Sequence, residues 1–327
     1  MADPELQVAV DAVVRAARLC EAVRAVQGDT GAMTKEDRSP VTVADFGSQA
    51  LVIDALRRAF HPVRIVAEED AETLLADRPL AERVWTFVRA EEPRLSIDDM
   101  LSAIGAGDDV GGDSGRFWTL DPIDGTKGFI RGDHYAVALA RLDDGSVTLG
   151  ILGCPSLVLP ACAVAAPGFV FYGARDEGAW CRPLSKDAPP QAVHVSQRSS
   201  VREAVFCESV ENGHTAQGSA ARICAFLGVA AAPLRMDSQC KYAAVASGMA
   251  DVYLRLPTQA GYEEKIWDHA AGALLVEQAG GRVTDVFGAG LDFTRGRTLR
   301  MNKGVLATNG LLHSSVLGAI AAVIGEQ

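Results

Sequence analysis

Apolar and polar residues follow two periods along this chain, and the change of period divides it. Leu6 to Val26 is rich in Ala and Val, and Asp11, Arg15, Arg18, Glu21 and Arg24 fall on one helical stripe, which predicts an amphipathic surface helix. The polar, Gly-containing run from Gln27 to Pro40 predicts a loop. A helix follows through Gln49, Val52, Ile53 and Leu56, with Thr42 or Asp45 as its cap. Val63–Ala67 reads as a short strand closed by Glu68, Glu69 and Asp70. Candidate helices at Pro79–Ala90 and Ser96–Ile104 lead into a Gly- and Asp-rich loop from Gly105 to Gly115, which lacks the ligand spacing of an EF-hand.

Strands dominate the middle. Tyr135–Leu142 and Val147–Leu152 are joined by Asp143-Asp144-Gly145-Ser146, a hairpin signal. Leu157–Ala165, Gly168–Gly173 and Ala179–Arg182 continue an antiparallel meander. Beyond the Pro-bearing run Leu184–Gln191 the pattern alternates. Strands at Ala204–Glu208, Leu234–Met236, Asp251–Leu256, Arg282–Asp285 and Val305–Thr308 are interleaved with helices at Gly218–Leu227, Lys241–Ser247 and Ile266–Gln278, and a last helix runs to Ile324. Gly280-Gly281 stops the third of these helices. The expected fold class is α+β, a large antiparallel sheet flanked by helices (residues 1–190) followed by a smaller α/β subdomain (residues 191–327).

Composition narrows the function classes. A net charge of -11 over 327 residues argues against polymeric nucleic acid or an anionic membrane as partner. No run of about 18 uncharged apolar residues predicts a membrane span. Seven cysteines, an odd number at wide spacings with no Cys-x-x-Cys, indicate free thiols in a reducing compartment, and the expected location is the cytoplasm.

The chemistry centres on Phe117 to Phe129. Four residues of strand character run into Asp121-Pro122-Ile123-Asp124-Gly125-Thr126. Pro122 lacks an N–H and restricts Asp121, so the strand is expected to end there. Two neighbouring carboxylates must share a proton, pair with a cation or stand apart in water. Gly125-Thr126 suits a turn that caps a helix and aims N–H groups at an anion. A bare Asp-x-x-Asp is also an ordinary turn. Other acids change the balance: Asp45 near a helix start, Glu68 at a strand end, and Asp268 opening an apolar helix in Trp267-Asp268-His269-Ala270-Ala271-Gly272. Carboxylates without Cys and with few His suit hard cations such as Mg²⁺.

Together the Asp121–Thr126 and Trp267–Gly272 motifs resemble the two signatures of the lithium-sensitive, magnesium-dependent phosphomonoesterases of the inositol monophosphatase superfamily. Within it, Lys127–Gly132, Asp237–Tyr242 and Val252–Pro257 resemble the 3'(2'),5'-bisphosphate nucleotidases. The resemblance implies a layered αβαβα sandwich of the sugar-phosphatase type. It implies two or three Mg²⁺ ions held by Glu68, Asp121, Asp124, Asp268 and the Ile123 carbonyl, with Glu69 behind them. Asp45 and Thr126 would activate water, and the Gly125 and Thr126 N–H groups would hold the scissile phosphate. Ser238, Lys241 and Arg255 would hold the 5'-phosphate or ribose. Glu264 and Asp268 would face the substrate, His214 would lie against adenine, and His269 would serve packing. The implied substrate is adenosine 3',5'-bisphosphate, acted on by a monomer, with sensitivity to Li⁺. Phosphatases of inositol phosphates and a silent nucleotide-binding regulator are the competing classes. Two positions depart from the pattern: Ala67 stands where many members have Gly, and Asn212 where Lys is common.

Overall fold

Strands near the site bury both faces, and successive residues enter different cores. On strand Arg116–Asp124, Trp118 and Leu120 join one core while Phe117 joins another. On strand Val252–Arg255, Tyr253 joins that second core while Val252 and Leu254 join a third. This period of two requires helices on both faces of each sheet. Fully burying a side chain such as Leu120 contributes about 1.5–3 kcal/mol.

A computed structural model describes residues 4–26, 32–34, 40–159, 167–185, 188–210, 217–257, 259 and 261–324. Helix α1 (Pro4–Ala25) precedes a short antiparallel pair, β1 (Met33–Thr34) and β2 (Pro40–Val41), and then α2 (Val43–Ala59). Strand β3 (Ile65–Ala67) is followed by α3 (Glu72–Ala76), α4 (Arg78–Glu91) and α5 (Ile97–Gly105). Next come β4 (Arg116–Asp124), α6 (Thr126–Arg131), β5 (Ala136–Asp143), β6 (Ser146–Cys154), β7 (Phe169–Ala174), β8 (Gly178–Pro183) and β9 (Gln191–Ala192). The remainder is β10 (Phe206–Glu208), α7 (Gln217–Leu227), β11 (Leu234–Arg235), α8 (Cys240–Ala246), β12 (Val252–Arg255), a 3₁₀ turn (Ile266–Asp268), α9 (Ala270–Gln278), β13 (Arg282–Thr284), β14 (Val305–Thr308) and α10 (His313–Ile324).

Strands β3 to β9 form a seven-stranded sheet in sequence order. It is antiparallel from β4 onward, and β3 adds a parallel edge beside β4. A mixed five-stranded sheet has the order β11-β10-β12-β14-β13. Helices α1 and α2 cover the outer face of the large sheet, α8 and α9 lie between the sheets, and α7 and α10 cover the outer face of the small one. The layers are therefore αβαβα, as expected.

Three local expectations need correction. Strand β4 does not stop at Pro122 but continues to Asp124, because the register shifts between Asp121 and Asp124 and the proline falls in a bulge where no ladder bond is required. The apolar run from Ile266 is not one helix: the chain breaks at His269 (φ -134°), so Asp268 ends a 3₁₀ turn and does not open α9. Leu157–Leu159 form no strand, and the rest of that predicted segment lies outside the described residues. Helix α1 is amphipathic as expected, burying Val10, Val13, Leu19 and Val23 while its arginines reach outward to Glu91, Glu92 and Glu21.

Candidate active site

The bulge does the first work of assembly. Residues three apart on a regular strand face opposite ways; the extra residue brings Asp121 and Asp124 into one neighbourhood. Asp121 is 2% exposed, and its Oδ1 accepts the Ile123 N–H at 3.1 Å. Gly125 then turns the chain at φ 87°, a conformation that favours glycine, and α6 begins at Thr126. Gly125 is the cap of that helix and Thr126 its first residue, with no side chain capping it. A Cβ at Gly125 would lie 2.9 Å from the Cβ of Ser238. Ser238 itself has φ 66°, and the next N–H, of Gln239, donates to Asp124 Oδ2 at 2.6 Å. The tight turn and the Ser238–Lys241 element are thus pressed together.

Thr42 and Asp45 cap α2 jointly. Asp45 Oδ2 accepts the Thr42 N–H at 2.8 Å and the Thr42 hydroxyl at 2.5 Å, a capping box. The other oxygen, Oδ1, receives the Thr126 hydroxyl at 3.3 Å. That hydroxyl also lies 3.2 Å from the Ile123 carbonyl. The cap is therefore one half of the carboxylate's work, and the half that fixes its direction. Ser48, a turn further along α2, donates to the Pro122 carbonyl at 2.9 Å and ties the helix to the bulge.

Glu68 follows β3, with its N–H donating to the Leu120 carbonyl at 3.2 Å. Gln49 clamps the next residue through both amide atoms: Nε2 donates to the Glu69 carbonyl at 2.6 Å, and Oε1 accepts the Glu69 N–H at 3.1 Å. The Ala67 methyl fits because Gly107 faces it; a Cβ there would meet it at 2.6 Å. This explains how Ala67 is accommodated where many relatives of the motif carry Gly.

Electrostatics show that the acids converge. Burial raises the Asp121 carboxyl well above its usual range, and Glu68, Asp124, Asp268 and Asp45 push it in the same direction. Asp124 is raised by burial to about 6, opposed by Lys241 and Arg255. Asp268 is likewise raised by burial, opposed by Arg255 and reinforced by Asp124 and other acids. Four elements distant in sequence thus bring carboxylates into one neighbourhood, with Asp45 and Asp121 buried and Glu68, Asp124 and Asp268 half-buried, a donor set of oxygen only that suits a hard divalent cation.

Beside it lies a knot that sequence reasoning did not foresee. Arg255 grips Glu264 with two contacts, Nε to Oε1 at 2.9 Å and Nη2 to Oε2 at 2.7 Å, and Nη2 lies 4.0 Å from Asp268 Oδ2. Glu264 is held down to about 2: Arg255 and His269 outweigh its burial. It is therefore an acceptor, and His269 Nε2 donates to it at 3.2 Å, so His269 Nδ1 accepts the Tyr242 hydroxyl at 2.7 Å. His269 is buried and wedged among aromatic rings, yet it is also a hydrogen-bonded link. Glu264, Asp268 and His269 offer ligand atoms within 4.8 Å of one another. Glu264 and His269 are engaged with each other, and Glu264 with Arg255, while the charge of Asp268 is felt by Asp121 and that of Asp124 by Asp268. Lys241 is buried, with its Nζ 5.1 Å from the Tyr253 ring centre and 3.4 Å from the Met236 carbonyl. Gln239, also unforeseen, donates to the Trp267 carbonyl at 2.8 Å and accepts the Gly272 N–H at 3.0 Å, joining the two motifs. The structure brings together Asp45, Glu68, Asp121, Ile123, Asp124, Gly125, Thr126, Ser238, Lys241, Arg255, Glu264 and Asp268. His214 and Asn212 lie outside the described residues.

Comparison with known proteins bears on the family and the fold. The profile of the inositol monophosphatase family matches residues 1–325. A 3'(2'),5'-bisphosphate nucleotidase of Emericella nidulans is 44% identical, covering 90% of this chain and 91% of its own. One of Schizosaccharomyces pombe is 43% identical, covering 99% and 97%. Among solved structures, an IMPase of Thermotoga maritima is similar with a TM-score of 0.69 at 21% identity, covering 99% of each chain. The inositol monophosphatase from Anabaena gives 0.63 at 22%, covering 97% of this chain and 95% of its own, and these two likenesses bear on the fold. The chain belongs to the inositol monophosphatase family.

Proposed function

We propose that the chain is a Mg²⁺-dependent 3'(2'),5'-bisphosphate nucleotidase, which removes the 3'-phosphate of adenosine 3',5'-bisphosphate to leave AMP, and which also accepts the sulfated analogue. The observation that carries the proposal is the gathering of Glu68, Asp121, Asp124 and Asp268 at the β4 bulge, with Lys241 and Arg255 beside them. The names of relatives 43–44% identical over nearly all of the chain support the choice of substrate.

Glu68, Asp121, Asp124, Asp268 and the Ile123 carbonyl would hold two or three Mg²⁺ ions. Mg²⁺, when bound, acidifies water and neutralises charge on the departing oxygen. The chain's own residues direct the attack. Thr126 Oγ1 faces Asp45 Oδ1 at 3.3 Å, and Asp45 cannot turn away because Thr42 holds its other oxygen. As water attacks phosphorus, its proton passes to Thr126 Oγ1 and the threonine proton passes to Asp45. The bond from phosphorus to the 3'-oxygen breaks, and that oxygen takes a proton from solvent. The N–H groups at the start of α6 would donate to the phosphate oxygens.

Ser238 and Lys241 are assigned to the second phosphate, while Arg255 fixes Glu264 against the ribose. His214 remains assigned to adenine from its place in the sequence. Direct attack without a phosphoenzyme is supported by the thiols. Burial raises Cys154 well above its normal range and pushes Cys207 up to about 12, so neither supplies a thiolate. Among the described residues six cysteines are free, five of them buried, which suits a reducing compartment, and we assign the protein to the cytoplasm, as a monomer. Among the described residues no helix is long and apolar enough to cross a membrane.

The test is phosphate release from adenosine 3',5'-bisphosphate beside inositol 1,4-bisphosphate and inositol 1-phosphate, with and without Mg²⁺ and Li⁺. Preference for the nucleotide, dependence on Mg²⁺ and inhibition by Li⁺ are expected. Faster turnover of either inositol phosphate would transfer the assignment to that substrate. Release of no phosphate from any of the three would point to a regulator.

A further inference from the structure

Arg297 lies outside both sequence motifs, but it touches the immediate neighbours of two cluster acids. Its Nη2 donates to the carbonyl of Ala67 at 2.5 Å, and Ala67 precedes Glu68. Nη1 donates to the Asp109 carbonyl at 3.0 Å and the Gly107 carbonyl at 3.4 Å. The guanidinium carbon stands 4.9 Å from the centre of the Trp267 ring, and Trp267 precedes Asp268. The main chain reinforces the grip. The Arg297 carbonyl accepts the Ile266 N–H at 3.2 Å, and the Leu299 N–H donates to the Glu264 carbonyl at 2.8 Å.

Two physical points give this contact a purpose. Strand β3 has only three residues and lies at the edge of its sheet, so its outer side is held by a short strip alone: the isolated bridge Val66 to Asp108, with the Ala67 N–H donating to the Gly107 carbonyl at 2.8 Å and the Asp109 N–H to the Ile65 carbonyl at 3.0 Å. Gln49 holds the Glu68 end of that edge to α2, and Arg297, by bonding Ala67, Gly107 and Asp109 together, is the side chain that ties it to the Trp267 side. Second, Arg297 is half-buried, and among the described residues it forms no ion pair. A desolvated cation spent on carbonyls and a ring face is costly unless the arrangement it fixes is useful. A planar guanidinium can span several carbonyls and stack on indole at once; an ammonium cannot.

We propose that Arg297 is a positioning residue that locks the Glu68-bearing turn to the Asp268-bearing turn, and so sets the affinity for divalent cation without touching cation or substrate. The inference rests on the cation site proposed above. It is tested by titrating Mn²⁺ into metal-free full-length protein and measuring free ion by electron paramagnetic resonance, for wild type, Arg297→Met, Arg297→Lys and Asp121→Asn. Thermal unfolding of each metal-free protein is recorded alongside. Arg297→Met is expected to bind Mn²⁺ about tenfold more weakly, the usual scale for losing a group that orients a ligand. Arg297→Lys should fall between, and hydrolysis by Arg297→Met should recover at high Mg²⁺. If Arg297→Met does not fold, the lysine variant decides. Wild-type Mn²⁺ affinity in the Arg297 variants, whatever their unfolding temperature, overturns the inference while leaving the site intact. Wild-type affinity in Asp121→Asn sinks the cation site, and the inference with it.

Discussion

Gly125→Ala tests how the site is built. Gly125 sits at φ 87°, outside the region an alanine adopts easily, and that strain costs about 1–2 kcal/mol. The new methyl would meet the Ser238 Cβ at 2.9 Å and the His134 carbonyl at 3.5 Å. The first contact is too close, so Ser238 must retreat by some tenths of an ångström. Its neighbour Gln239 holds Asp124 Oδ2 at 2.6 Å, a bond to a charged group that is worth about 1.5–3 kcal/mol. Weakening it brings the expected loss of stability to about 3 kcal/mol. Misplacing Asp124 and Thr126 should lower kcat roughly a hundredfold. The measurements are urea unfolding and phosphate release, each repeated with Ser238→Gly and the double variant. Ser238→Gly removes the opposing Cβ and relieves φ 66° at that position. The double variant should therefore be more stable than the sum of the single effects by about 1–2 kcal/mol, as expected for residues in contact. Strict additivity would show that the contact between Gly125 and Ser238 carries none of the cost.

Three further outcomes are expected. Glu264→Gln should destabilise the protein by about 3 kcal/mol at neutral pH, because Arg255 loses a buried partner. Glutamate held at about 2 contributes stability above its ordinary value of 4.5 and loses it as pH falls toward 2, so the gap to wild type should narrow below pH 5; a gap constant with pH refutes the ionic role. His313, 0% exposed, is held at about 4 by burial and then by Arg282. It folds neutral between Thr308 and Thr284, so wild type should lose about 1–2 kcal/mol relative to His313→Gln as pH falls from 7 to 5, measured by urea unfolding. Asp124→Asn should nearly abolish kcat, whereas Lys241→Met should chiefly raise KM for the bisphosphate; the opposite pattern in steady-state kinetics would reverse their roles.

The sequence was most legible where chemistry is local. Asp121–Thr126 announces its acids, its proline and its glycine within six residues, and Gly125 has the positive φ that such a turn demands. The strand and helix periods foretold a large antiparallel sheet flanked by helices and a smaller α/β unit, and the family resemblance implied the order of the layers; in the structure Val252, Tyr253 and Leu254 alternate between two cores. The bulge at Pro122 was not legible, because the sequence permits either an ended strand or a continued one, and the pairing with Ala136 and Ala138 decides between them. The break at His269 was hidden by apolar residues on both sides, which keep helical period through a kink.

What escaped altogether was the division of labour among the charges. Lys241, Arg255 and Glu264 are visible as residue types, but only the fold places Arg255 on Glu264 and wedges His269 between Glu264 and Tyr242. The distinction matters for mechanism. A bidentate arginine pinned by a carboxylate at about 2 is a rigid wall beside Asp268. Lys241, by contrast, has a single charge poised over a ring and a carbonyl, and burial pulls its pKa down even as Asp124 pulls it up. An anion arriving at Lys241 relieves a desolvated charge, whereas an anion arriving at Arg255 must compete with Glu264. The second phosphate should therefore draw most of its electrostatic binding from Lys241, and the loss of affinity in Lys241→Met should exceed that in Arg255→Lys.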